Sequence, residues 1–232
     1  MLKINNLSLV QGDFSLRADI VCDTGVTAVM GPSGAGKSTL LAAIAGFIAP
    51  TGGQMAFAGR EFTDLTPAER PVSMLFQDNN LFPHLTIGEN VGLGLRGELR
   101  LSGQEKEAVG QAIADVGLEG LAARKPAALS GGQQSRAALA RVLLAGRPIV
   151  LLDEPFAALG PRLKDEMRDL VRERLIPKGR IVLMVSHDPN DVKRIADQVC
   201  LVAEGRVSAA KPTGEIFENP PDALRVYLGD MG

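Results

Sequence analysis

One stretch of nine residues constrains the fold of this chain more than any other feature. Its residues are Gly31, Pro32, Ser33, Gly34, Ala35, Gly36, Lys37, Ser38 and Thr39. The first eight fill the pattern G-x-x-x-x-G-K-[ST] without a mismatch. An apolar run rich in β-branched residues precedes it at 26–30, and a helix-forming run follows it at 40–45. The stretch is therefore predicted to be a tight turn between a buried strand and a helix.

A turn of this kind is suited to binding a triphosphate. Glycines allow backbone N–H groups to close around phosphate oxygens, and the helix N-terminus adds a favourable dipole. The ammonium of Lys37 can reach the β- and γ-phosphates, and the hydroxyl of Ser38 can ligate Mg²⁺. The alternative is a glycine-rich turn that binds nothing, and the strand and helix on its flanks argue against it. We therefore predict that the chain binds a nucleoside triphosphate.

The charge balance argues against nucleic acid as a partner. The chain has 232 residues, with 27 acidic and 25 basic side chains and a net charge of −2, whereas a nucleic-acid interface needs a basic surface.

The longest apolar run, 40–49, is shorter than the roughly 20 residues that cross a bilayer. Residues 1–6 lack the pattern of a signal peptide. We expect a single domain, 1–232, in the cytosol.

The remaining pattern predicts an α/β fold. Residues 2–10 and 14–21 alternate like an antiparallel hairpin, and Thr66 and Pro67 are typical of a helix start. Between about 78 and 145 the pattern is helical, with candidate helices at 87–95, 104–116, 118–124 and 131–144. The predicted fold is a P-loop NTPase core with a mostly parallel sheet, an N-terminal antiparallel β subdomain and an inserted α-helical subdomain.

Two carboxylates directly follow the most apolar strand candidate, 149–152. Asp153 and Glu154 emerge where that strand ends, and ligands bind at this edge of an open parallel sheet. Asp153 is placed to hold Mg²⁺, and Glu154 to polarise a water that attacks the γ-phosphate. Gln77 ends another strand and suits a contact to Mg²⁺ or water. The alternative is a polar strand end with a helix-capping carboxylate.

Two further features have two interpretations each on physical grounds. His187 follows the strand candidate 180–185 and is either a γ-phosphate contact or a structural histidine. The segment 130–133, Ser-Gly-Gly-Gln, opens a helix and is either an anion site or an ordinary serine cap.

Taken together, these motifs resemble an ABC-type ATPase subunit nearly from end to end. The matching segments are the phosphate loop 31–39, the glutamine loop at Gln77, the signature sequence 129–133, the Mg²⁺-binding strand and catalytic glutamate 149–154, and the switch histidine His187. The resemblance implies that two copies pair head to tail. Each ATP then lies between the phosphate loop of one copy and Ser130, Gly132 and Gln133 of the other. It also implies catalytic roles for Glu154, His187 and Gln77, and Mg²⁺ ligation by Ser38, Gln77 and Asp153.

A narrower likeness concerns the transported solute. Residues 70–82 and 90–95 resemble the ATPase subunit of bacterial thiamine importers. This implies a homodimer on a transmembrane permease, an extracytoplasmic solute-binding protein, and a peripheral position at the cytoplasmic face of the inner membrane. The alternatives are an importer of iron, polyamines or another small solute, a soluble ABC ATPase, and a nucleotide-binding regulator without turnover. Glu154 argues against the regulator.

The chain departs from the family pattern at three positions. An aromatic residue that stacks on adenine is not evident after the first strand, where Phe14 is a weak substitute. Gly160 stands where the family usually has Asp, after Ala157, Ala158 and Leu159, and Ser135 replaces a frequent Gln. Adenine selectivity and coupling between the two sites of the dimer are the properties that these departures affect.

Overall fold

The computed structural model describes residues 1–157 and 159–229; Ala158, in the loop before Gly160, and residues 230–232 lie outside the described residues. Its strands are β1 (Leu2–Gln11), β2 (Phe14–Cys22), β3 (Gly25–Met30), β4 (Gly52–Phe57), β5 (Arg60–Glu61), β6 (Val72–Leu75), β7 (Ile149–Asp153), β8 (Ile181–Val185), β9 (Gln198–Ala203), β10 (Arg206–Val207) and β11 (Lys211–Pro212). Its α-helices are α1 (Lys37–Ala45), α2 (Ile87–Gly92), α3 (Gly103–Asp115), α4 (Gly131–Ala145), α5 (Pro161–Arg174), α6 (Pro189–Ile195), α7 (Thr213–Glu218) and α8 (Asp222–Gly229).

One mixed sheet forms the centre of the molecule. Its strand order is β5-β4-β1-β2-β10-β9-β3-β8-β7-β6, and β11 pairs with β9. The half formed by β9, β3, β8, β7 and β6 is parallel throughout, whereas β1 pairs antiparallel with β2 and β4. The predicted fold class is confirmed, and the carboxyl ends of β3, β6, β7 and β8 lie along one edge.

Helices cover both faces of the parallel strands. Every residue of β3, β7 and β8 is buried, because a parallel strand with helices on both sides has no solvent face. Along β7, Ile149 and Leu151 pack in the cluster that holds α1, while Val150 and Leu152 pack in the cluster that holds α4 and α5. The alternation of side chains along a strand thus separates the two layers.

The N-terminal hairpin forms as its alternation predicts. Leu2, Ile4, Leu7 and Leu9 are all buried. The pairing shifts between Ile4 and Leu7, where Asn6 has a φ of 47°. In a regular strand, a spacing of three would place Ile4 and Leu7 on opposite faces. The irregularity at Asn6 lets both side chains lie on the inner face.

The predictions of two helices were wrong. The segment from Thr66 forms a single turn, because Pro71 disfavours helical geometry at Arg70 and β6 begins immediately afterwards. The candidate at 118–124 forms separate turns, because Gly117 and Gly120 have φ values of 70° and 78° that interrupt a helix.

Helices α2, α3 and α4 lie between β6 and β7 in the chain. Each begins with a capping box, in which Thr86, Ser102 or Ser130 exchanges hydrogen bonds with the residue three positions later. The bounds of a helical subdomain at 78–145 stay a prediction. Among the described helices, none has the length and apolar character that a membrane span requires.

Candidate active site

Four segments that follow parallel strands converge on one cavity. They come after β3, β6, β7 and β8, and the cavity has a volume of about 680 Å³. The lining residues are Gln11, Phe14, Gly31, Ser33, Gly34, Gly36, Lys37, Ser38, Thr39, Gln77, Glu154, His187 and Tyr227. The sheet topology therefore brings the predicted phosphate loop together with Gln77, Glu154 and His187.

The conformation of the phosphate loop depends on glycine at two positions. Gly31 has a φ of 150°, and a Cβ atom there would lie 2.2 Å from the carbonyl oxygen of Val202 on β9. Gly36 has a φ of 102° at the start of α1, and a Cβ atom there would meet the ring of Phe14 at 2.6 Å. Ser38 and Thr39, in the first turn of α1, line the cavity. The first turn of a helix offers N–H groups without intrahelical partners, which suits an anion.

Lys37 folds back across this loop. Its Nζ atom donates hydrogen bonds of 2.8 Å to the carbonyl oxygens of both Gly31 and Pro32. Burial lowers the pKa of Lys37, and the nearby carboxylates of Glu154 and Asp153 oppose that shift. The ammonium is thus held at the loop, close to both acidic groups.

Asp153 and Ser38 form the contact that joins the end of β7 to the start of α1. The Ser38 hydroxyl donates to Oδ1 of Asp153 at 3.1 Å, and Asp153 is only 7% exposed. Burial is the main reason why the pKa of Asp153 is raised, and repulsion from Glu154 adds to it. The Ser38 hydrogen bond and the charge of Lys37 act in the opposite direction. A divalent cation would stabilise this poorly solvated carboxylate.

Gln77 lines two cavities, one of which also includes Asp153. It lines the main cavity, and it also lines a second one, of about 680 Å³, together with Phe76, Asp78, Asp153 and Ala157. A hydroxyl, a carboxylate and an amide oxygen are the hard ligands that Mg²⁺ prefers. The donor set of Ser38, Asp153 and Gln77 therefore fits this ion.

Glu154 and His187 form a pair at the cavity. Nδ1 of His187 lies 3.1 Å from Oε2 of Glu154. Glu154 has a φ of 47°, unusual for a residue with a side chain, and its N–H donates to the carbonyl oxygen of Val185 on β8 at 3.1 Å. Backbone strain of this kind is often found at functional sites. A carboxylate and an imidazole in contact beside a phosphate-binding loop can orient and polarise a water.

Two residues that line the cavity, Gln11 and Tyr227, were not predicted from the sequence. Gln11 ends β1, and Tyr227 comes from α8, where its hydroxyl donates to the carbonyl oxygen of His187 at 2.8 Å across 40 positions of sequence. The only signal for Tyr227 is its spacing of three from the buried Leu224 on one helix face. Phe14, the weak candidate for an aromatic contact, lies at the cavity beside Gly36.

Six predicted site residues are absent from the described lining of the cavity. Pro32 and Ala35 belong to the phosphate loop, and Asp153 is hydrogen-bonded to Ser38 of that loop. Ser130, Gly132 and Gln133 lie instead at the start of α4. Ser130 caps α4: the Gln133 N–H donates to the Ser130 hydroxyl at 3.3 Å, and Oε1 of Gln133 accepts from the Ser130 N–H at 3.0 Å. Within one chain, the serine-cap interpretation is the one that these contacts support.

Comparison with known proteins gives consistent matches. A family model described as ABC transporter matches residues 21–157. The thiamine import ATP-binding protein ThiQ of Cereibacter sphaeroides is 56% identical over 230 residues, which cover 99% of this chain and 100% of that protein. The proteins of the same name from Ruegeria sp. and Yersinia pestis are 57% and 50% identical, covering 99% and 94% of this chain and 100% and 93% of their own.

Solved structures match as well. The dimeric structure of a post-hydrolysis state of an ATP-binding cassette, bound to ADP and Pi, superposes with a TM-score of 0.79 at 31% identity. The match covers 92% of this chain and 99% of that one.

Proposed function

Because the chain belongs to the ABC transporter family, we propose that it is the ATP-hydrolysing subunit of a thiamine importer. The observation that carries the proposal is identity of 56% to a thiamine import ATP-binding protein over 99% of this chain. The convergence of the phosphate loop, Asp153, Glu154 and His187 supports it independently, since these groups suit phosphoryl transfer to water.

The phosphate loop binds the triphosphate of ATP. Lys37 exchanges the carbonyl oxygens of Gly31 and Pro32 for the β- and γ-phosphates, and its contacts at 2.8 Å show that its ammonium already lies at the loop. Ser38, Asp153 and Gln77 would hold Mg²⁺. When bound, this ion neutralises charge on the phosphate oxygens.

Glu154 orients and polarises the attacking water. Its contact with His187 at 3.1 Å fixes the carboxylate beside the cavity, and the imidazole is then directed at the γ-phosphate. Water adds to the γ-phosphorus as the bond to the β-phosphate oxygen breaks, which yields ADP and phosphate.

The site is completed by a second copy of the chain. Ser130, Gly132 and Gln133 of one subunit contact the γ-phosphate bound to the other, in a homodimer paired head to tail. The dimer that a similar ATP-binding cassette forms in its post-hydrolysis state supports this arrangement. The exposed Ser130 at the start of α4 leaves that helix end accessible to a partner.

ATP binding then closes the dimer and hydrolysis reopens it. The helices between β6 and β7 follow Gln77 in the chain, so a change at the nucleotide can move them relative to the core. We assign the docking of a transmembrane permease to this helical region, at the cytoplasmic face of the inner membrane. An extracytoplasmic solute-binding protein supplies the thiamine.

Uptake of labelled thiamine tests this function. Cells that lack the gene should lose uptake, and the wild-type gene should restore it, whereas Glu154→Gln should not. Glu218→Gln, which changes an exposed carboxylate at the end of α7, outside both the cavity lining and the helices between β6 and β7, is the matched control and should restore uptake. Loss of uptake of a different solute would reject thiamine, and full uptake with Glu154→Gln would reject the role of Glu154.

A further inference from the structure

Helix α8 returns to the active site from the far end of the described chain. Leu224 anchors it, fully buried in the core cluster, and Tyr227 lies three residues later on the same face and packs against that cluster. From there the phenol reaches the loop after β8 and donates to the carbonyl oxygen of His187 at 2.8 Å.

The position of His187 in that loop is fixed mainly by the contacts of the residues beside it in the chain. The His187 side chain is 55% exposed, so packing does little to restrict it. The next residue, Asp188, accepts from Nζ of Lys164 at 3.1 Å and caps α6 through the N–H of Asn190. Tyr227 holds the main chain of His187 itself.

We propose that Tyr227 is a positioning residue for ATP hydrolysis, which acts by holding the main chain of His187 so that its imidazole stays against Glu154. The inference rests on the proposed function, since it assumes that the Glu154–His187 pair serves hydrolysis. A histidine side chain has two rotatable bonds, so the position of its backbone limits where the ring can lie. The hydrogen bond from Tyr227 acts on the main chain of the residue whose ring makes the 3.1 Å contact with Glu154. It adds to the bonds that hold Ser186 and Asp188 on either side.

The phenol is suited to this role over the range of an ordinary assay. Burial raises the pKa of Tyr227, and the nearby carboxylates of Glu154 and Asp188 raise it further. The hydroxyl consequently stays protonated and remains a donor.

Tyr227→Phe tests the role, since it removes the hydroxyl and retains the ring that lines the cavity. We expect kcat for ATP to fall about three- to tenfold, as loss of one hydrogen bond predicts, while KM changes less than about twofold. The control is Val226→Ala, which truncates an adjacent side chain that is 65% exposed and should leave kcat unchanged.

A double-mutant cycle with His187→Ala separates positioning from a general structural effect. If Tyr227 acts through His187, adding Tyr227→Phe to His187→Ala should reduce single-turnover hydrolysis no further. An equal loss in both backgrounds, or a wild-type kcat for Tyr227→Phe alone, would overturn the inference while leaving the proposed function intact. A wild-type kcat for His187→Ala would instead reject the role of His187 in the proposed function, and the inference with it.

Discussion

Replacement of Gly31 by Ala should separate β3 from β9. The added Cβ atom would lie 2.2 Å from the carbonyl oxygen of Val202, a backbone atom that cannot rotate away. The two strands pair in parallel at Met30 and Leu201, directly beside this point. Gly34→Ala is the matched control in the same loop: its φ is 78°, but beyond its two chain neighbours no described residue has an atom within 4 Å of the new Cβ.

The size of the effect follows from two contributions. A positive φ costs an L-residue about 1–2 kcal/mol, and overpacking in a fixed environment adds about 1–3 kcal/mol. The free energy of unfolding should therefore fall by about 2–5 kcal/mol for Gly31→Ala, and by about 1–2 kcal/mol for Gly34→Ala, which carries only the φ contribution.

Urea unfolding of the two variants measures this difference. With a slope of about 2–3 kcal/mol per molar urea, the midpoint should fall by about 1–2 M for Gly31→Ala and by about half a molar for Gly34→Ala. Equal midpoints for the two variants would show that the Val202 carbonyl does not confine the loop.

Three more predictions concern single side chains. Lys37→Ala should weaken ATP binding about 10- to 100-fold, as loss of a charge-assisted contact predicts. In the same titration, Lys3→Ala should have no effect, because Lys3 is an exposed lysine elsewhere. Equal affinities of the Lys37→Ala variant and the wild type for ATP would contradict the assigned contact. Arg70→Met should lower the free energy of unfolding by about 3 kcal/mol or more, because the carbonyl oxygens of Ile44, Thr63 and Leu65 lose the hydrogen bonds that Arg70 donates. A change below about 1 kcal/mol in urea would count against this. Asp153→Asn should stabilise the nucleotide-free protein at neutral pH, because it removes a carboxylate whose pKa burial raises. Since the folded state binds that proton more tightly than the unfolded state does, the advantage should shrink as the pH falls towards 4; an advantage independent of pH would contradict it.

Much of the site could be predicted because strand ends carry a strong local signal. Buried apolar runs mark β3, β7 and β8, and in a parallel sheet their carboxyl ends meet at one edge. Residues 31–39, Gln77, Glu154 and His187 could therefore be expected together. The hydrogen bond between Ser38 and Asp153 joins residues 115 positions apart for the same reason.

Contacts made by isolated residues could not be predicted in this way. Tyr227 reaches the site from α8 through tertiary packing, and no local pattern ties it to His187. The false helix at 118–124 arose because its leucines and alanines have helix propensity, while two glycines with positive φ decide the conformation. In the homodimer that we propose, the position of Ser130 relative to ATP depends on a second chain, and the fold of one chain does not determine it.

The most direct test of the account is the ATPase activity of the subunit reconstituted with its permease and solute-binding protein, measured with and without thiamine. Thiamine should stimulate hydrolysis, and Glu154→Gln should abolish the stimulated activity. Stimulation by a different solute, with indifference to thiamine, would contradict the assigned cargo. A subunit that hydrolyses ATP but binds no permease would contradict the transport function itself.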